Sequence, residues 1–279
     1  MQEIPPIGDA IFYPTDPEAT ADETERLITA TPVDFQLTSL PAAVLSPHAA
    51  YESAGAVMGA AYHSARGLDP ARIIIIAPLH ADILAEDAAV RLELFLPHAE
   101  QFRCAGALIP IDVHAVDEIT GMLPYAARRS SYFSEEPAIE LQLPFLHNLY
   151  PGIPVIPLFA GNRSAGGARN LVPLITRYAD GKTLFVCTSN ATAHLPAEAA
   201  ADHAAMSHRL LTGEESRSPF APETRHASSM CGIHILEAFR KSRIFAQWHI
   251  LARGASLPVP GSERETHFIS GALPGLPQP

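Results

Sequence analysis

Arg72-Ile73-Ile74-Ile75-Ile76-Ala77-Pro78-Leu79-His80 runs four isoleucines together, closes on a proline and delivers a histidine. β-Branched side chains are stiff at χ1 and fit a pleated strand better than a helix. The run is continuously apolar rather than alternating, so both faces of the strand are expected to be covered, as happens when helices flank a parallel sheet. Ala42–Leu45, Ile153–Phe159 and Thr183–Thr188 (TLFVCT) have the same character. Gln247–Ala252 and His267–Ala272 read as two further strands. Helical patterns fall between them, at Ala21–Thr29, Ser53–Ala65, Val113–Met122, Ala165–Tyr178, Ala197–Leu211 and Met230–Lys241. Strands alternating with helices predict an α/β fold with a central, mostly parallel or mixed sheet flanked by helices. With no repeat and no low-complexity linker, one domain is expected over residues 1–279, with 274–279 as a frayed tail.

Composition excludes several functions. The chain carries a formal net charge of -11 and no Lys/Arg cluster, so it lacks the basic face that nucleic acid or an anionic membrane needs. The N-terminus, MQEIPPIGDAIFYP, has no basic segment followed by an apolar run, and no stretch approaches the ~18 apolar residues of a membrane helix. Three unpaired cysteines, Cys104, Cys187 and Cys231, argue against a disulfide framework and for a reducing, cytoplasmic setting. There is no P-loop, no G-x-G-x-x-G after a strand, no G-x-S-x-G and no C-x-x-C, which disfavours nucleotide-dependent chemistry.

Chemistry is expected where the strands end. Ala42–Leu45 leads into Ser46-Pro47-His48-Ala49-Ala50-Tyr51, RIIIIA into Pro78-Leu79-His80, and TLFVCT into Ser189, Asn190 and then His194. Ligand sites in open α/β sheets form beyond the carboxyl ends of the strands. Cys231, in Ser228-Ser229-Met230-Cys231-Gly232, stands where a helix is expected to begin, and a helix N-terminus favours the thiolate that binds metals. These positions point to one metal pocket built from His48, His80 and Cys231. Glu136 and Glu140 are four residues apart, so on a helix they share a face and could serve as general bases or hold a ligand in place.

The same residues resemble the MEMO-like proteins, component B of the AmmeMemoRadiSam set. Seven ordered blocks between Gly8 and Gly271 carry the resemblance. They are Ala10-Ile11-Phe12-Tyr13-Pro14; Pro47-His48-Ala49-Ala50-Tyr51 with Ser53 and Gly55; Ala77-Pro78-Leu79-His80; Glu136–Phe145; Thr188-Ser189-Asn190 through His194; Cys231-Gly232; and Ser270-Gly271-Ala272-Leu273. The resemblance implies a fold similar to the class III extradiol ring-cleaving dioxygenases. It also implies a mononuclear site in which His48, His80 and Cys231 hold a divalent metal, Fe(II) before copper or zinc. The expected activity is that of a dioxygenase-like oxidoreductase on a small organic substrate, with protein partners from the same gene set. His194 becomes the acid/base candidate; Tyr51, Asn190 and Glu136 become candidates for handling substrate, water or protons.

The chain departs from the family pattern at four places. Asn190 replaces an aspartate, Pro137 a histidine and Ala50 a glycine, and His194 lies one residue beyond its expected position. An amide carries no charge and cannot act as a base. Two alternatives therefore stand beside the enzyme: a non-catalytic metal- or ligand-binding protein on the same fold, and a hydrolase with Cys231 as nucleophile.

Overall fold

The isoleucine run lies inside an eight-stranded sheet. The computed structural model describes residues 2–258 and 261–276. In chain order the strands of this sheet are β1 (Ala42–Ser46), β2 (Arg72–Pro78), β3 (Leu94–Leu96), β4 (Ala126–Arg128), β5 (Val155–Ala160), β6 (Thr183–Thr188), β7 (His249–Ala255) and β8 (His267–Pro274). Across the sheet the order is β7-β8-β1-β6-β2-β5-β3-β4. The middle four, β1, β6, β2 and β5, are mutually parallel. An antiparallel strand borders them on each side, β8 against β1 and β3 against β5. The sheet is therefore mixed, with a parallel centre, as the unbroken apolar runs require. Ile73–Ile76 are buried between Leu184–Cys187 of β6 and Val155–Leu158 of β5.

Seven longer helices accompany the sheet: α1 (Pro17–Ala30), α2 (Tyr51–Ala65), α3 (Val113–Met122), α4 (Leu143–Leu149), α5 (Ala165–Tyr178), α6 (Ala197–Thr212) and α7 (Ile233–Ser242). Helix α1 starts earlier than its charge pattern suggests, because Asp16 caps it through Ala19 N at 2.9 Å and Pro17 opens the first turn. Helix α2 lies over β1, β7 and β8 with α1 packed on it. That approach is close: a Cβ on Gly59 would sit 2.2 Å from the Leu27 carbonyl oxygen, so only glycine fits. On the other helical layer α5 and α7 pack on each other. No helix among the described residues is long and apolar enough to cross a membrane.

Two expectations need correction. Pro274 belongs to β8, Gly275 N donates to Pro41 O at 3.0 Å and Leu276 N to Ile244 O at 2.8 Å, so the chain is tied down through Leu276. Residues 277–279 of the expected tail lie outside the described residues. Glu136 and Glu140 share no helix face, because Pro137 interrupts the segment and Glu140 only opens a short 3₁₀ turn (Glu140–Gln142). A small sheet made of Glu3–Ile4, Gln101–Cys104 and Ala107–Pro110 was also not expected. Glu140 ties the N-terminal segment to the core. It accepts from Ile7 N (2.9 Å), Gly8 N (3.0 Å) and the Tyr13 hydroxyl (2.5 Å).

Candidate metal centre

Parallel pairing sets the site. Ser46 of β1 pairs with Thr188 of β6, and β6 lies between β1 and β2, so the residues that follow all three strands emerge side by side. His48 Nδ1 lies 2.6 Å from Thr188 Oγ1, and His48 Nε2 lies 3.5 Å from Cys231 Sγ. The rings of His48 and His80 stand edge to face with centroids 5.1 Å apart. One ligand atom each from His48, His80 and Cys231 can be chosen so that all lie within 4.8 Å of one another, close enough to hold one ion. The two histidines singled out at strand ends and the cysteine singled out at an expected helix start are thus brought together.

Cys231 reaches them from the loop before α7 rather than from the helix itself, which begins at Ile233 with Gly232 as its cap. The expected helix-terminus effect is therefore replaced by direct contacts. Burial alone would raise the thiol pKa. The charge of His48 and hydrogen bonds from His48, His80 and Ser189 outweigh burial and hold it well below its usual value. Asn190 N donates to the sulfur at 3.3 Å, and the Ser189 hydroxyl lies 3.4 Å from it. Gly232 permits the approach. Its N–H donates to Ser189 Oγ at 2.8 Å, and a Cβ there would lie 2.7 Å from Ser189 Cβ and 2.8 Å from Thr188 O.

His80 is fixed by Glu136. The carboxylate accepts from His80 N (3.1 Å) and from His80 Nδ1 (2.7 Å). Burial opposes its ionisation, but the His80 hydrogen bond and the charges of His80 and His48 hold its pKa below the usual value. A carboxylate can only accept, so Nδ1 carries the proton and Nε2 is left to face the pocket. Hydrogen bonding to Cys231 and then to Glu136 raises the His80 pKa to about 10.

The other expected site residues fall elsewhere. Asn190 lines the pocket, but its amide serves the His48 backbone: Oδ1 accepts from His48 N at 3.1 Å and Nδ2 donates to His48 O at 3.5 Å. It is a positioning residue. Tyr51 is a correction. It is buried against Tyr13 and Phe145, its hydroxyl donates to Leu141 O at 2.9 Å, and it does not line the pocket. Its one O–H is spent on a buried carbonyl, away from the cluster. His194 stands exposed at the rim, with Nδ1 3.4 Å from Thr266 Oγ1, and is not part of the three-residue cluster. Thr188 behind His48 and buried Gln142 are supporting residues to which the sequence reading gave no role, and Ser189, read there only as a polar residue at a strand end, lies beside Cys231. Gln142 donates to Pro47 O (3.1 Å) and Thr188 Oγ1 (3.5 Å) while accepting from the Tyr62 hydroxyl (2.8 Å). Their roles depend on which strands are neighbours, which no local pattern encodes.

Above the cluster opens a depression of about 400 Å³, lined among others by His80, Asn190, His194 and Cys231. That size suits a small molecule.

Comparison with known proteins agrees with the blocks read from the sequence. The family described as Memo-like protein matches residues 9–246, most of the chain. The chain belongs to the Memo-like family. A MEMO1 family protein of Caldivirga maquilingensis is 23% identical over 193 residues, covering 68% of this chain and 66% of the relative, so the match spans just under two thirds of that relative's length. A crystal structure of an uncharacterized protein from Escherichia coli K12 aligns with a TM-score of 0.44 at 12% identity, over 74% of this chain and 86% of that one.

Proposed function

We propose that this Memo-like protein holds one divalent metal ion on His48, His80 and Cys231 and acts as a dioxygenase-like oxidoreductase on a small organic substrate. The observation that carries the reading is the way the two imidazoles are oriented. Glu136 holds the proton on His80 Nδ1 and Thr188 engages His48 Nδ1, so both Nε2 atoms are turned toward the Cys231 sulfur. A histidine ligand whose other nitrogen is hydrogen-bonded to a carboxylate or other acceptor is the usual arrangement around a bound metal. The donor set fits the group. Two neutral imidazoles and one thiolate suit Fe(II), copper or zinc, with Fe(II) first because two imidazoles and one anionic ligand leave positions open for reactants. An iron ion there would supply Lewis acidity and one-electron redox chemistry.

The chain's own residues would do the rest. Glu136 fixes the His80 tautomer, and Asn190 clamps the backbone of His48. Gln142 and Thr188 brace the same ring from below. His194 and Thr266 at the rim are the groups placed to meet substrate. The expected likeness to class III extradiol enzymes, a cytoplasmic location and protein partners from the same gene set belong to the same proposal.

Elemental analysis of anaerobically purified protein tests it. Near-stoichiometric iron, lost in both His48→Ala and Cys231→Ser, is the expected result. Unchanged metal content in the variants would sink the proposal.

One observation favours the second reading, a non-catalytic binding protein. Among the described residues, the carboxylate bonded to the cluster is that of Glu136 and it is committed to His80, Asn190 carries no charge, and Pro137 brings no imidazole. Oxygen uptake by iron-loaded protein over a panel of catechols and other small molecules separates the two. Turnover abolished by Cys231→Ser supports the enzyme; its absence across the panel supports the binder.

A further inference from the structure

The chain is strongly acidic, with a net charge of -11, yet no Asp or Glu is among the residues that line the depression over the cluster. Its ionisable lining is Arg163, His80, His194 and Cys231, with the hydroxyls of Thr192, Ser229 and Thr266 around them. Arg163 sits on the loop between β5 and α5, next to Ser164, which caps α5. The side chain is exposed and makes no hydrogen bond or ion pair with any described residue. Of the thirteen ion pairs and His–carboxylate contacts among the described residues, twelve lie away from the depression, and ten of those engage arginine or lysine, so acids are not scarce. What sets Arg163 apart from the other cations without an ion pair is its place: it stands at the wall of the depression, with no carboxylate of the described residues on it.

Resting on the reading of this pocket as a small-molecule site, we infer that Arg163 is a specificity-determining residue that anchors a carboxylate of the substrate, held over the cluster with His194 and Thr266 beside it. A planar guanidinium matches a carboxylate in two parallel hydrogen bonds. A phosphate is disfavoured by the same lining. Among the described residues the lining includes one arginine, no lysine and no glycine, short of the several donors phosphate sites gather. The volume of about 400 Å³ admits a small carboxylic acid rather than a macromolecule.

Cys231 makes the test possible, because its sulfur lies in the same depression. Its thiolate attacks the methylene carbon of iodoacetate or iodoacetamide; the C–S bond forms, the C–I bond breaks and iodide leaves. Both reagents depend equally on the thiolate, so their rate ratio reads the anion preference of the pocket alone. Metal-free protein is used, Cys231→Ser confirms the modified site, and Cys104 and Cys187 are buried. The expected result is a ratio of iodoacetate to iodoacetamide rates that falls roughly fivefold in Arg163→Met, the size of one partly exposed ion pair, and falls less in Arg163→Lys. An equal ratio in wild type and Arg163→Met overturns the inference. Should Cys231 resist both reagents, amide chemical shifts decide it: acetate, but not acetamide, should move the signals of Asn190, Thr192 and Ser229 in wild type and not in Arg163→Met, and equal shifts in both proteins overturn it. The metal reading is scored separately. Zinc added first should protect Cys231 from iodoacetamide; failure to protect, with the Arg163 effect intact, removes the metal and leaves the carboxylate site standing.

Discussion

Cys231 and Cys104 have each been placed by the fold against a small set of polar neighbours, and the two outcomes are opposite. Cys231 meets two imidazoles, a hydroxyl and a backbone N–H, all of which favour a negative sulfur. Cys104 is buried and donates to the Tyr13 hydroxyl at 3.4 Å, with Glu140 just beyond; burial first, and the charge of Glu140 after it, push its thiol up to about 12 despite the Tyr13 hydrogen bond. Tyr13 is itself raised by burial, then by Cys104 and Glu140. The difference teaches that residue type sets only the menu. One cluster brings together atoms that, in the proposed reading, would hold a cation, whereas the other spends the same kinds of atoms on tying the N-terminal segment to the core.

The largest expected effect is in thiol reactivity. Iodoacetamide at pH 7.5 should label Cys231 in the metal-free protein far faster than Cys104, because Cys231 is held as the thiolate while Cys104 is kept protonated and shielded by burial. Peptide mapping with time checks it; comparable rates would erase the contrast. Next in size is Glu140→Ala. It strands Ile7 N, Gly8 N and the Tyr13 hydroxyl, and should cost about 3 kcal/mol in urea unfolding while metal content per folded molecule stays the same. A loss of metal without a loss of stability would show that the two clusters are one. Glu136→Gln should do the reverse, lowering metal affinity roughly 10- to 100-fold with little change in stability, as expected for a residue that orients a ligand. Metal competition titration measures it.

What the sequence made legible follows from what is local. Unbroken β-branched runs identify parallel strands, and the polar residues after them identify the carboxyl ends where His48, His80 and Asn190 lie. Cys231 was legible as a candidate, but its helix was misplaced by three residues, because Gly232 is chosen for close approach to Ser189 rather than for helix propensity. Tyr51 and the Glu136–Glu140 pair failed for a related reason. Direction of a side chain depends on packing partners far away in sequence: Phe145 and Leu141 for Tyr51, and residues 7 to 13 for Glu140. The strand order that puts Thr188 beneath His48 is likewise non-local. So are the three-residue strands β3, which takes the edge of β5, and β4, which pairs with β3 in turn.

The histidines repeat the contrast between the cysteines and give the smallest, most directional prediction. His80 is raised by Cys231 and Glu136, whereas His234, three residues after Cys231, is fully buried on α7 with neither ring nitrogen hydrogen-bonded among the described residues. Burial lowers the His234 pKa to about 3; the nearby Ala160 backbone, too poorly aligned for a full hydrogen bond, opposes this weakly, and the charge of Arg163 adds to it. An unfolded chain takes up this proton below about pH 6.5, but the folded one refuses it until about pH 3. The unfolded state thus binds more protons in that window, and stability must fall as pH drops from 6.5 toward 3, with no contribution above 6.5. His80 acts with the opposite sign: its extra stability is fully present below pH 6.5 and is lost as pH rises toward 10. Comparing wild type with His234→Leu in the metal-free protein cancels the His80 contribution and isolates His234. Between pH 7.5 and 5.5 wild type should lose about 1.4 kcal/mol more than the variant in urea unfolding, one pKa unit below the unfolded value. Parallel losses in the two proteins would mean that water or a local opening reaches the ring, and the burial that separates His234 from His80 would no longer explain their opposite shifts.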